Sequence, residues 1–126
     1  MAREYEARIG EWNKELTAKQ RISLKDTGDA VRLDEATQKD VIIIYPDIIA
    51  RIDVHNEKSE NKDYSIYVIV DKNGVKYVTS SESFWRQLSD IQYEMCDAGE
   101  EEWGIKVYRK ESKNYKGKEF ITCSIV

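Results

Sequence analysis

A chain of 126 residues has length for one folded core, and with 35 % charged and 10 % aromatic residues it reads as a folded, hydrophilic domain, not a disordered or fibrous chain. The formal charge of −4 excludes a protein whose whole surface attracts nucleic acid, so a site for such a ligand must be a local basic patch. The longest apolar run, Val41 to Tyr45, is strand-sized, and Met1 to Leu16 holds no apolar segment that reads as a signal peptide, so no membrane association is expected.

In chain order, residues 2–25 are expected to be helical. Tyr5, Ile9, Trp12 and Leu16 recur at helical spacing between Glu, Lys and Arg, with Gly10 a weak point. Thr17 or Thr27 could cap a break, Thr27-Gly28-Asp29 reads as a turn, and Asp29 to Asp40 reads as polar loop. Residues 1–40 are therefore taken as a helical and polar extension to a domain spanning 41–126.

Val41 to Tyr45 is β-rich, and Pro46 cannot donate to a ladder, so it marks a bend or edge. Beyond it Ile48, Ala50, Ile52 and Val54 alternate with Ile49, Arg51 and Asp53, and His55 to Lys62 reads as an exposed loop. Tyr64 to Val70 and Val75 to Thr79 flank Asn73-Gly74, a strong hairpin signal. A two-residue turn there sets Val70 opposite Tyr77, Val68 opposite Thr79, and Asp71 opposite Lys76 as an ion pair.

Thr79-Ser80-Ser81-Glu82 resembles a capping box. It precedes an apolar stripe of Phe84, Leu88, Ile91 and Met95, helped by Trp85, with Gly99 as the stop. Trp103 to Arg109 alternates, with Trp103, Ile105 and Val107 on one face and Lys106 and Tyr108 on the other. Phe120 to Val126 is the last strand. Strand, hairpin, helix, hairpin is the outline of an OB-like five-stranded barrel (β-β-β-α-β-β) of the mainly β, α+β class. The same order also allows an open sheet with one helix on a face. The helix would plug the barrel's open end.

Chemistry concentrates in the last hairpin. Arg109, Lys110, Lys113, Lys116 and Lys118 stand against one acid, Glu111, a local charge of +4. Tyr108 and Tyr115 lie among these cations. Lysines neutralise phosphates, and an aromatic face stacks on any base. Of the central-strand tyrosines Tyr64, Tyr67 and Tyr77, Tyr67 is expected on the groove face, with Lys72 and Lys76 extending the cationic track. A soluble hairpin tip that deters edge aggregation accounts for the same lysines.

No catalytic or metal site is expected. His55 stands in a loop context with Asp53 as its one nearby ligand candidate, and the chain has neither a phosphate-cradling glycine loop nor a G-x-S-x-G elbow. No cofactor is expected. Cys96 and Cys123 lack metal-ligand spacing; two buried reduced thiols are the expected state, with a disulfide as the alternative.

The stretch from Tyr64 to Val126 resembles small uncharacterised proteins of phages and prophages of Gram-positive bacteria. The resemblance is carried by KYVTSSESFW (Lys76 to Trp85) and IKVYRKESKNYKGKEFITCSIV (Ile105 to Val126), and less distinctly by His55 to Ser59. In element order and basic last loop the chain also resembles phage single-stranded DNA-binding proteins of the OB class. It departs from them in ending on the apolar Thr122 to Val126 and in carrying residues 1–40. The segregated charge and the fold outline together lead to the expectation of a non-enzymatic binder of single-stranded DNA, or alternatively RNA, and the phage resemblance sets it in the cytoplasm of a bacterial host. A second reading is an anti-defence inhibitor that binds a host protein such as a nuclease effector, or sequesters a nucleotide signal. Its motivation is the acidic set Asp90, Glu94, Asp97 and Glu100 to Glu102. A third is a structural role, with residues 1–25 building a homo-oligomer.

Overall fold

β-branched runs, one proline and a few glycines place most of the strands. The computed structural model describes residues 4–114 and 116–126, and over these the elements are β1 (Tyr5–Trp12), α1 (Ala18–Lys25), β2 (Val31–Arg32), α2 (Leu33–Ala36), β3 (Ile42–Ile44), β4 (Pro46–Asn56), β5 (Asp63–Asp71), β6 (Lys76–Thr79), α3 (Glu82–Asp97), β7 (Ile105–Glu111) and β8 (Glu119–Ile125). The fold is mixed α+β, with two open sheets of order β1-β4-β5-β6-β2 and β3-β7-β8. The chain forms two compact units, residues 1–31 with 47–80 and residues 32–46 with 81–126. This division differs from the 1–40 and 41–126 boundary read from the sequence, because residues 5–12 are a strand of the first unit's sheet.

In the first unit, the expected helix over residues 2–25 is corrected to a strand followed by a short helix. β1 pairs antiparallel with β4 from Tyr5↔Asn56 to Trp12↔Ala50, with a bulge between Ile9 and Glu11. The helical stripe of Tyr5, Ile9, Trp12 and Leu16 coexists with a strand alternation, Ala7 and Ile9 inward against Glu6 and Arg8 outward. Ladder hydrogen bonds to β4 decide for the strand, and Gly10 weakens the helix. Tyr5 and Trp12 are exposed, not stripe members. The helix starts at Thr17, whose hydroxyl accepts from the Gln20 N–H (3.2 Å) while the Gln20 side chain accepts from the Thr17 N–H (2.8 Å), a capping box.

The alternation in β4 is as read. Ile48, Ala50, Ile52 and Val54 are buried in a core with Leu16, Leu24, Val68 and Val78. The β5–β6 register is corrected by one residue: Val68 faces Val78, Ile69 faces Tyr77 and Val70 faces Lys76. The turn spans three residues, not two. Only Gly74 has positive φ (85°), so Asn73 does not take the left-handed conformation that a type I′ turn demands of both central residues. The Asp71 carboxylate holds this turn by accepting from the N–H groups of Asn73 and Val75, both at 2.9 Å.

In the second unit, β3 pairs with β7 and β7 with β8. Residues expected as loop before β3 hold β2 and α2 instead. The α3 cap is Ser81, not Thr79: its hydroxyl accepts from Phe84 N–H at 3.3 Å. The helix stops at Gly99 (φ 74°), whose N–H donates to Cys96 C=O (3.1 Å) while Glu100 N–H donates to Met95 C=O (2.9 Å), a Schellman ending. α3 lies against β8 and buries Phe84 and Leu88.

Candidate functional site

Opposed residues of an antiparallel ladder point to the same side of the sheet, so the registers assign both faces of β3–β7–β8. On one face Ile44, Ile105, Val107, Ile121 and Cys123 are buried. On the other, Ile43 stands opposite Lys106, which stands opposite Ser124; Tyr108 stands opposite Thr122, and Lys110 opposite Phe120. Tyr45 continues this face just beyond β3. Its ring lies on the backbone of Gly104, where a Cβ would come within 2.6 Å of a ring carbon, so only glycine permits the contact. Tyr45 is 51 % exposed and Phe120 37 %. Lys106 and Lys110 are exposed, and the exposed Lys113, Lys116 and Lys118 follow in the segment between β7 and β8.

The Tyr108 ring is held in place. Its hydroxyl is 2.8 Å from the Ser124 hydroxyl, and the Lys106 ammonium sits 5.7 Å from the ring centroid, a cation–π contact. The face therefore carries three aromatic rings and at least two ammonium groups. Phe120 and Tyr108 are diagonal neighbours, about 8 Å apart from strand spacing and rise.

The residues singled out from sequence fall into distinct places. Tyr108 and Lys110 lie on this outward face, and Lys113, Lys116 and Lys118 are exposed in the turn beside it. Tyr115 lies outside the described residues. Arg109 alternates to the opposite face, opposite Ile121; its guanidinium donates to the carbonyl of Asp34, and its Nε is buried without a partner. Arg109 thus anchors α2 and is removed from the phosphate-binding set.

Tyr67, Lys72 and Lys76 belong to the first unit. Tyr67 is 7 % exposed, so the expectation of an exposed stacking ring is corrected: it lies with Ile69 on the face of β5 opposite Val68, and both side chains are buried there. Lys72 is exposed. The Lys76 ammonium donates to the carbonyls of Ser23 and Asp26, both at 2.6 Å, and so closes the C-terminal end of α1.

Tyr45, Ile43, Lys106 and Phe120 are the members that the sequence reading did not include. Alternation alone sets Lys106 with Tyr108. Linking them to Tyr45 and Phe120 required the β3–β7–β8 pairing.

Elsewhere, a groove of about 560 Å³ in the first unit is lined by Glu6, Arg8, Asp53, His55, Asp63 and Ser65, among others. His55 is in β4, not a loop. Its Nδ1 lies 2.7 Å from Asp63 and its Nε2 2.7 Å from Glu57. The Asp63 carboxylate, then Glu57, raise its pKa. Both ring nitrogens are thus engaged by carboxylates of the same chain. Asp53 is taken by Arg51 and Ser65, and the Arg51 hydrogen bond lowers its pKa. Among the described residues no group of three or more His, Cys, Asp and Glu side chains is placed to hold a metal.

Cys96 and Cys123 are free thiols, and Cys96 is exposed where burial was expected. Burial pushes the Cys123 thiol up to about 12. Among the described residues no helix is long and apolar enough to cross a membrane. Compared with known protein families, curated proteins and solved structures, the chain matches none.

Proposed function

We propose that the protein binds single-stranded nucleic acid, DNA in the first instance, on the outward face of β3–β7–β8 and the adjoining Lys113, Lys116 and Lys118, without catalysing a reaction. One observation carries this reading: the ladder brings Tyr45, Tyr108 and Phe120 together with Lys106 and Lys110 on one face. Rings on a pleated surface offer stacking platforms, and the ammonium groups, with Lys113, Lys116 and Lys118, supply phosphate contacts.

The reading also takes the interrupted β3–β4 run as the first strand of an OB-like barrel. In support, the half before Pro46 pairs with β7 and the half after it lies beside β5. The sequence resemblance adds a phage or prophage origin and a bacterial cytoplasmic setting to the proposal.

Fluorescence anisotropy of labelled oligo-dT and a matched duplex, titrated across salt, tests it. Each phosphate contact to a single strand adds about −0.7 to the log–log salt slope, so Lys113/Lys116/Lys118→Ala should flatten the slope by about 2. An unchanged slope, or equal affinity for duplex, would sink the proposal.

A second reading rests on α3. Asp90, Tyr93, Glu94 and Asp97 share one helical face, and Tyr93 is 77 % exposed among those acids. That face suits a basic host protein, as an inhibitor would require. Capture of a host partner that survives nuclease treatment and is lost in Tyr93→Ala would favour it.

A further inference from the structure

The outer edge of β1 offers backbone hydrogen-bonding groups that β4 does not use. β1 ends the five-stranded sheet, with β4 on one side and, among the described residues, no strand paired on the other. The phase of its ladder is fixed by one bond. The Glu57 N–H donates to the Glu4 carbonyl at 2.8 Å, and these two residues are opposed by continuation of the Tyr5↔Asn56 register. Residues 4, 6 and 8 therefore spend their backbone groups on β4. The N–H and C=O groups of Tyr5, Ala7 and Ile9 point away from it, toward the open edge.

The uninterrupted part of the strand runs from Tyr5 to Ile9, because the bulge follows between Ile9 and Glu11. Its centre is Ala7. We propose that a second copy of this chain pairs here, β1 against β1 antiparallel, with the two-fold axis at Ala7. That pairing sets Ala7 opposite Ala7 and Tyr5 opposite Ile9, all hydrogen-bonded pairs, so every outward backbone group of the segment finds a partner. It also sets Glu6 opposite Arg8 in the non-hydrogen-bonded pairs, where side chains approach most closely. The charges are self-complementary about the same axis that satisfies the backbone, which is what an isologous interface requires.

The inward side of the edge fits as well. A groove of about 370 Å³ runs beside it, with Ala7, Ile9, Trp12 and Leu16 among its lining residues. The strand of the second copy would bring its own Tyr5 and Ile9 to this groove, extending the core of Leu16, Leu24 and Ile52 across the axis. Within one chain Arg8 donates to Glu6 at 2.9 Å on the same strand. Both side chains keep exposed surface, 77 % and 38 %, so the cross-axis pairs form by a rotamer change without breaking the fold.

Sedimentation or light scattering of the full chain tests this. The expected mass is twice the 14.7 kDa of the chain. Ala7→Pro removes an N–H that β4 does not use and should leave monomers. Arg8→Glu should also leave monomers by opposing like charges, and the exchanged double variant Glu6→Arg/Arg8→Glu should restore the dimer. Circular dichroism checks the fold of each variant, and the charge exchange decides the matter even where the proline unfolds the strand. A wild type still monomeric at roughly 1 mM overturns the proposal. So does a dimer indifferent to Arg8→Glu, which would place the contact elsewhere.

Discussion

The turn between β5 and β6 gives the sharpest test of the local structure. The Asp71 carboxylate is buried and accepts two backbone N–H groups, from Asn73 and Val75, at 2.9 Å each. Hydrogen bonds to a charged group contribute about 1.5–3 kcal/mol each, but water can reach the N–H groups of an exposed turn once the carboxylate is gone. Asp71→Ala should therefore cost about 2 kcal/mol in total, a fall in melting temperature of about 7 °C for a chain of this size. Gly74, at φ 85°, should cost about 1–2 kcal/mol as Gly74→Ala, because a Cβ in the left-handed region meets the carbonyl. Asn73 has ordinary negative φ, so Asn73→Ala should stay within about 0.5 kcal/mol. Urea denaturation of the three variants reads all of this. A two-residue turn would invert the pattern: Asn73→Ala would be costly, and Asp71→Ala would lose only an exposed ion pair of under about 1 kcal/mol. That pattern would refute the three-residue turn and the register built on it.

Two further predictions concern ionisable groups. His55 is raised above its ordinary 6.5 by Asp63 and Glu57, so its stabilising contribution is complete below 6.5 and lost as pH rises through the raised value. Denaturation midpoints of the wild type should fall across that interval, and His55→Gln should lack the fall; identical profiles would remove the His55 network as a source of pH dependence. For the cysteines, iodoacetamide should modify Cys96 rapidly and Cys123 only on unfolding, since burial both shields that thiol and pushes it up to about 12. Equal labelling of both in the native protein would contradict the buried position of β8.

Legibility in the sequence followed the range of the interaction. The β4 alternation, the Gly99 stop and the apolar stripe of α3 depend on neighbours a few residues away, and residues 48–54 and 84–99 announced them. Residues 5–16 carried two periodicities at once, and the choice belonged to β4, whose edge is far away in sequence. Asn73-Gly74 announced a hairpin, but the carboxylate of Asp71 drew the turn out to three residues and moved the register. In the site, the cationic hairpin of 109–118 was evident from composition. The outward face was not, because Tyr45 and Phe120 join Tyr108 only through the pairing of β3 with β7 and β7 with β8. Arg109 shows the converse: its charge suggested phosphate, whereas its place in the alternation sends it to the Asp34 carbonyl.

The most direct measurement of the sheet-face proposal is oligo-dT affinity of Tyr45→Ala and Phe120→Ala beside Tyr93→Ala, by anisotropy at one fixed low salt. Stacking contributes about 1–3 kcal/mol per base, so each of the first two should weaken binding by about 5- to 150-fold. Tyr93→Ala, on α3, should bind as the wild type does. No binding by the wild type, or a loss in Tyr93→Ala with Tyr45→Ala and Phe120→Ala unaffected, would contradict a single-strand site on β3–β7–β8.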